Sequence, residues 1–183
     1  MTNPERQFHT TFPQIKSCFE QRPFVRDSLI CKQGFYNGCF VLKLQKASWT
    51  NDRMDQIRND TGIFFSIWID EEAASKNQAH YNIHALKLRR LKGYSIASRG
   101  FADDFRNSFA SVRDDWPNVS VEYGPLTLMQ GWIELDPNSY DRDILALMER
   151  FEQVSPLIDR LLELRRRRTS RTKRIEKNAG ERG

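Results

Sequence analysis

Two histidines, His80 and His84, stand four residues apart. On a helix this spacing places both imidazole rings on one face, as in many zinc sites, whereas on a strand the rings share a face at wider separation. A third ligand would have to come from elsewhere, with Asp70 and Glu71 as candidates, and no Glu follows the first His as in a metalloprotease. We therefore expect two partly exposed histidines and no metal site.

Catalytic motifs that depend on glycine or carboxylate spacing do not occur in this sequence. The phosphate-binding patterns Gly-x-x-x-x-Gly-Lys-Ser/Thr and Gly-x-Gly-x-x-Gly are missing, and so is the Gly-x-Ser-x-Gly turn of serine hydrolases. Asp70 follows an apolar segment, where the first carboxylate of a Mg²⁺-dependent nuclease would stand, but no Glu-x-Lys or Asp-x-Lys occurs. We therefore assign no catalytic residue and expect no cofactor.

One cluster of basic residues lies in the body of the chain, residues 1–164. Guanidinium groups there could bind phosphates or a carboxylate ligand, which makes the cluster a candidate anion patch. The alternative is a solvated face whose charges pair with Asp103, Asp104 or the acidic pair Glu71-Glu72. The cluster consists of Lys87, Arg89, Arg90, Lys92 and Arg99.

The positive charge is concentrated at the C-terminus. Residues 165–183 hold nine basic and two acidic residues, a net charge of +7, whereas residues 1–164 hold 20 basic and 22 acidic residues, a net charge of −2. The overall charge of +5 therefore describes a basic tail on a mildly acidic body. Binding of this tail to nucleic acid would be non-specific and strongly salt-dependent; a solubilising tail and a contact with the acidic body are the alternatives. The candidate contact residues are Arg165, Arg166, Arg167, Arg168, Arg171, Lys173 and Arg174.

The first half of the chain predicts one helix and a set of strands. Phe8, Phe12, Ile15 and Phe19 recur at helical spacing, although Pro13 interrupts them. Residues 28–47 predict a hairpin with Asn37-Gly38 in its turn, in which Lys43 and Gln45 face away from the buried side. Residues 50–61 predict an exposed loop or short helix, and residues 63–69 predict a central strand that is apolar on both faces. Residues 80–92 are expected to run from a strand into a short helix.

The second half predicts more helix. A stripe of aromatic residues over 98–116 predicts a core helix with Ser98 as its N-cap, followed by strands over 119–123 and 126–135. Because Pro156 would cost about 3 kcal/mol inside a helix, we expect two helices, 140–154 and 156–168. Their heptad-like apolar spacing leaves a homodimer through residues 140–164 open. Trp49, Trp68 and Trp132 could line a pocket, although core positions are favoured.

Length and composition set the fold class. A chain of 183 residues with 39% hydrophobic residues is long enough for one domain with a core. No apolar run approaches the ~20 residues that span a bilayer, and three cysteines without metal spacing fit a reducing cytosol. We expect a soluble, cytoplasmic, single α+β domain over 8–168, between disordered residues 1–7 and a disordered basic tail over 169–183. Its antiparallel sheet would have four to six strands covered by two or three helices, the last two forming a pair that runs into the tail.

No family resemblance emerges from these residues, so three functions remain open. The first is a non-enzymatic cytoplasmic binding or regulatory module whose tail contacts nucleic acid or an acidic partner. The second is a small enzyme or ligand-binding domain with a pocket near Asp70, His84, Arg89 and Arg99. The third is a structural subunit that dimerises through its C-terminal helices.

Overall fold

A computed structural model describes residues 4–21, 29–58 and 60–167, with side chains from residue 11 onward. Three of the connections between its helices and strands contain a 3₁₀ turn, at Ala47–Trp49, Leu88–Arg90 and Ala110–Asp115. In chain order the elements are α1 (Pro4–Glu20), β1 (Ile30–Tyr36), β2 (Cys39–Gln45), β3 (Gly62–Ile69), α2 (Glu71–Ser75), β4 (Gln78–Leu86), α3 (Ser98–Phe109), β5 (Thr127–Glu134) and α4 (Tyr140–Glu163).

The five strands form one antiparallel sheet in the order β1-β2-β3-β4-β5, so each strand pairs with its neighbours in sequence. Asn37 and Gly38 form the two-residue turn between β1 and β2, and both have positive φ angles, 50° and 77°. That pair of left-handed conformations fits the twist of a tight hairpin. β3 is central, as its apolar run predicted. The prediction of a single α+β domain with an antiparallel sheet is confirmed.

The sheet has one face covered by helices. Phe65 of β3 stacks on Phe151 of α4 with ring centroids 4.6 Å apart, and Tyr81 of β4 also contacts Phe151. α1 packs on the β1–β2 end of this face, where Phe12 meets Phe40 at 6.1 Å. Because side chains alternate along a strand, the residues between these point to the opposite face of the sheet. We call that opposite side the open face.

The C-terminal helix pair was predicted wrongly. α4 is one continuous helix of 24 residues with Pro156 inside it. The apolar stripe runs unbroken across the proline, and Phe151, Val154 and Ile158 are all at most 5% exposed. Burial of each such side chain is worth about 1.5–3 kcal/mol, so together they outweigh the penalty of one proline.

Four further boundaries differ from the sequence expectation. α3 ends at Phe109 and continues as a 3₁₀ turn, so Val112 is 38% exposed although Trp116 remains buried. Ala97, not Ser98, occupies the N-cap position of α3, and no side chain caps that helix. The expected strand over 119–123 is reduced to a bridge of Ser120 with Gln130. α1 begins at Pro4, before residue 8, and includes Pro13.

Candidate functional site

A cavity of about 660 Å³ lies on the open face of the sheet. Its floor comes from β2, β3, β4 and β5, and its rim comes from the β1–β2 turn, the loop between β2 and β3, and the two ends of the β4–β5 connection. The lining includes Val41, Phe64, Trp68 and Leu86 as apolar or aromatic walls, and Tyr36, Ile57, Arg58, Asp60, Lys87 and Leu126 at the rim. We call this space the open-face cavity.

Four polar side chains cross the floor of the open-face cavity in one line. Lys43 lies opposite Ser66, Ser66 lies opposite Asn82, and Asn82 lies opposite Gln130, so each of four neighbouring strands contributes one member. Lys43, Ser66 and Asn82 are 1%, 7% and 4% exposed. We call these residues the polar row. Polar groups buried to this degree are costly unless they are hydrogen-bonded, so their partners matter.

A directed chain of hydrogen bonds links the polar row to His84. The Ser66 hydroxyl donates to Asn82 Oδ1 at 2.5 Å, and Asn82 Nδ2 lies 2.9 Å from His84 Nε2. His84 Nδ1 lies 3.3 Å from the Leu126 carbonyl, which can only accept, so Nδ1 carries the proton and Nε2 accepts from Asn82. Burial lowers the pKa of His84, and the bond to Leu126 offsets this only in part. The chain therefore requires a neutral imidazole.

An irregularity in the β4–β5 pairing places His84 at this position. The register shifts between Ile83 and His84, so that His84 pairs with Thr127 while Ile83 pairs with Met129. The extra residue on β5 brings the Thr127 hydroxyl within 3.3 Å of His84 Nδ1. Such bulges re-aim side chains at the ends of strands.

Lys43 is the buried cation of the cavity. Its Nζ donates to the Gln56 carbonyl and lies 5.8 Å from the centre of the Phe64 ring. Burial lowers the pKa of Lys43 to about 8; the nearby carboxylate of Asp52 opposes this shift and the ammonium of Lys32 adds to it. The Lys43 amine is therefore partly neutral near physiological pH.

The loop between β2 and β3 holds one side of the open-face cavity. Trp49 at its start is fully buried and donates from Nε1 to Asp159 of α4 at 2.8 Å. Further along, Ile57 packs over Gly34 of β1, where an added Cβ would lie 2.7 Å from Ile57 Cγ1. Asn51 also binds the Arg90 carbonyl at 2.8 Å. These contacts explain why Lys43, expected on a solvated face, is buried.

The pocket expected near Asp70, His84, Arg89 and Arg99 is not assembled as such. Only His84 lines the open-face cavity. Asp70 follows the far end of β3, about 20 Å along the strand from the position paired with His84, and its carboxylate caps α2 by accepting from the Ala73 amide at 2.8 Å. Arg89 and Arg99 are exposed and lie in the 3₁₀ turn after β4 and the first turn of α3.

The expected anion patch is exposed but only one of its members reaches the cavity. Lys87 lies at the rim, where its Nζ is 3.6 Å from Asp60 Oδ1. Arg90 and Lys92 are exposed, and their backbone groups bind the side chain of Asn51. The patch therefore serves as the attachment of the β2–β3 loop as well as a basic surface.

The two spaced histidines lie on a strand and on the same face of it. His80 pairs with Trp68 and stacks on its indole at 5.3 Å, whereas His84 is four residues further along β4, about 13 Å away. Among the described residues, no group of three His, Cys, Asp or Glu side chains converges as a metal site would require.

The first arginines of the basic tail are bound to the body. The Arg165 guanidinium pairs with Asp104 and lies 5.2 Å from the Phe101 ring centre. Arg166 binds Glu163 at 2.7 Å and lies over Tyr94, and the Arg167 amide donates to the Gly93 carbonyl. The other predicted contact residues, Arg168, Arg171, Lys173 and Arg174, lie outside the described residues.

The apolar stripe of α4 is buried within the chain's own core. Its members Ile144, Leu147, Phe151, Ile158 and Leu161 are at most 4% exposed because they belong to the hydrophobic core of the chain. A homodimer through 140–164 would therefore have to use the other side of α4. None of the described helices is both long enough and apolar enough to cross a bilayer.

Comparisons of the chain with protein-family models, with curated proteins and with solved structures found no match. The geometry of the open-face cavity is therefore what bears on function.

Sequence reasoning missed Lys43, Ser66 and Asn82. The available signal was that Ser66 interrupts an otherwise apolar central strand, IFFSIWI, and that Lys43 lies in the strand before it. A lone hydroxyl in a strand that is apolar on both faces needs a buried partner, and Asn82 supplies it.

Proposed function

We propose that this protein binds a small organic molecule in the open-face cavity. The apolar part of the ligand packs against Phe64, Trp68 and Val41, and its polar part binds the polar row. One observation carries the proposal: four polar side chains, one from each of four strands, line up in register beneath a cavity of about 660 Å³.

The cavity has the size and chemistry of a small-molecule site. Such sites are typically about 300–1,000 Å³, mostly apolar, and contain a few convergent polar groups. A sheet that only had to support a core would use apolar residues at these positions, because burying Lys43 and Asn82 opposes folding. A bound ligand that forms hydrogen bonds with these groups would offset that cost.

The test is binding of small fragments to ¹⁵N-labelled protein. We expect aromatic alcohols and carboxylates to shift the amide signals of Ser66, Asn82 and Gln130, and Asn82→Leu to weaken that binding at least tenfold. Gln78→Leu is the matched control, because Gln78 lies on the same strand and face but outside the cavity lining. Fragments that shift only amides on the helix-covered face would contradict the proposal.

A second candidate function is the contact with a polyanion that the sequence predicts for the basic tail. The concentration of nine basic residues in 165–183 favours contact with nucleic acid or another polyanion. We expect a chain ending at Leu164 to lose affinity for a single-stranded oligonucleotide, and the full chain to lose roughly 300-fold in affinity between 50 and 200 mM salt if about six phosphates are contacted. Retained affinity in the truncated chain would contradict the tail model.

The cytoplasmic location and the homodimer stay predictions. The free state of Cys18, Cys31 and Cys39 supports the former. Light scattering tests the dimer, since a monomeric mass would refute the hypothesis of a structural subunit that dimerises through its C-terminal helices.

A further inference from the structure

We propose that Lys43 captures a carbonyl compound, an aldehyde or ketone with an apolar body, as a covalent imine in the open-face cavity. This inference rests on the proposed function, since it names the class of ligand and the atom that holds it.

The surroundings of Lys43 are those that imine formation needs. The amine lies among apolar walls, 5.8 Å from the Phe64 ring centre, and one N–H donates to the Gln56 carbonyl. The Gln56 carbonyl orients the amine by accepting this hydrogen bond, and it adds no charge of its own. Ser66, directly opposite in the register, gives its proton to Asn82, so its oxygen lone pairs remain able to accept from a hydroxyl above the floor.

The chemical step balances without an oxidant or a reductant. The nitrogen lone pair of Lys43 attacks the carbonyl carbon, the carbonyl π pair moves to oxygen, and a proton passes from nitrogen to that oxygen to give a carbinolamine. The carbon–oxygen bond then breaks while the C=N bond forms, and the oxygen leaves as water with the remaining amine proton. Ser66 Oγ is placed to accept a hydrogen bond from the carbinolamine hydroxyl.

Burial, and to a smaller extent the charged groups around the amine, set the pH at which this occurs. Lys32 faces it from β1, Asp52 and Arg58 belong to the β2–β3 loop, His84 lies on β4, and the Asp60–Lys87 pair is at the rim. Because burial brings the pKa of Lys43 to about 8, roughly a tenth of the amine is neutral at pH 7. The neutral fraction of an ordinary lysine is a few hundred-fold smaller.

The burial of Lys43 also limits access to its amine, which opposes the gain in neutral amine. Only 1% of Lys43 is exposed, so the loop that carries Gln56 and Ile57 must open before a carbonyl compound reaches the amine. If opening reduces access by less than the few hundred-fold gain in neutral amine, Lys43 reacts faster at pH 7 than an exposed lysine does.

The experiment is reductive trapping with benzaldehyde and cyanoborohydride, followed by peptide mass mapping. We expect benzylation of Lys43 at pH 7 to be at least as fast as benzylation of Lys76, an exposed lysine paired with Glu72. We also expect the rate of Lys43 benzylation to level off above pH 8. The Lys43→Arg variant should lose this label and Lys76→Arg should keep it. The pH profile in the unmodified chain decides the matter if Lys43→Arg fails to fold: no labelling of Lys43, or labelling that keeps rising to pH 10 as at Lys76, overturns the proposal.

Benzyl alcohol separates this inference from the function on which it rests, because it fits the same space but forms no imine. Signal shifts at Ser66, Asn82 and Gln130 with benzyl alcohol, together with no labelling of Lys43 by benzaldehyde, would refute the imine and leave ligand binding intact. Labelling of Lys43 without benzyl alcohol binding would support the imine and contradict non-covalent recognition. Absence of both would refute both.

Discussion

Asp159 joins the C-terminal helix to the loop that borders the cavity, and its removal gives a quantitative test of the structure. Its carboxylate accepts from Trp49 Nε1 at 2.8 Å and from Lys46 Nζ at 2.5 Å. Trp49 is fully buried, whereas the ion pair with Lys46 is partly solvated, with side chains 13% and 42% exposed. The two interactions therefore contribute different amounts to stability.

The expected magnitude follows from that difference. In Asp159→Ala, the indole N–H of Trp49 stays buried without an acceptor, which costs about 1–3 kcal/mol. Loss of the partly exposed ion pair adds about 0–1 kcal/mol. Asp159→Asn loses the charge but keeps a side-chain oxygen for Trp49, so it should cost less than about 1 kcal/mol. We expect the alanine variant to be about 2–3 kcal/mol less stable than the unmodified protein, or about 4–12 °C lower in Tm.

Urea unfolding followed by far-ultraviolet circular dichroism measures all three proteins at matched m-values. The difference between the alanine and asparagine variants isolates the hydrogen bond to the buried indole. Equal unfolding free energies for the two variants, within about 0.5 kcal/mol, would refute the reasoning. That result would mean that Trp49 finds another acceptor or is not buried.

Three other substitutions test separate parts of the structure. Gly131→Ala places a Cβ 2.6 Å from Tyr81 Cζ and displaces the hydroxyl that binds the Pro117 carbonyl, so we expect a loss of about 2–3 kcal/mol in urea unfolding. Pro156→Ala restores a backbone donor at an exposed position inside α4 and should raise stability by about 1–2 kcal/mol; a destabilised variant would argue against a continuous helix. Because burial lowers the pKa of His84, the folded state binds fewer protons than the unfolded state below about pH 6.5, and stability falls as the pH drops through that range. His84→Gln should flatten this dependence between pH 7.5 and 5.5, and an unchanged slope would contradict the buried, neutral imidazole.

Local signals in the sequence were sufficient for most of the fold. Asn37-Gly38 predicts a two-residue hairpin turn, and the apolar run from residue 63 to 69 predicts a central strand, because each depends on a few adjacent residues. The prediction of a helix break at Pro156 was wrong for the same reason. The local penalty of a proline is visible in sequence, whereas the continuous burial of Phe151 and Ile158 on either side is a property of the packed domain.

The polar row could not be predicted from the sequence because it depends on strand register, that is, on which residues of neighbouring strands lie opposite one another. β3 is apolar on both faces, so its side-chain pattern does not distinguish one pairing with β2 from a pairing shifted by a residue. No short turn sets this register either, since a long loop separates β2 from β3. The constraint lies at the end of the loop, where Gly62 has a φ of 135° and bridges to Thr50, and an added Cβ would lie 2.8 Å from the Thr50 Cα.

That constraint makes Gly62 the residue on which the cavity depends, although it does not line it. A slip of one residue between β2 and β3 would take Lys43 away from Ser66, while β3 itself could lose little burial because both its faces are apolar. Gly62→Ala should therefore disturb the polar row more than the core. If so, the amide signals of Lys43 and Ser66 shift and fragment binding weakens while the Phe65–Phe151 stack is kept. Loss of the core signals together with fragment binding would instead mean that the β2–β3 register cannot change without unfolding the domain.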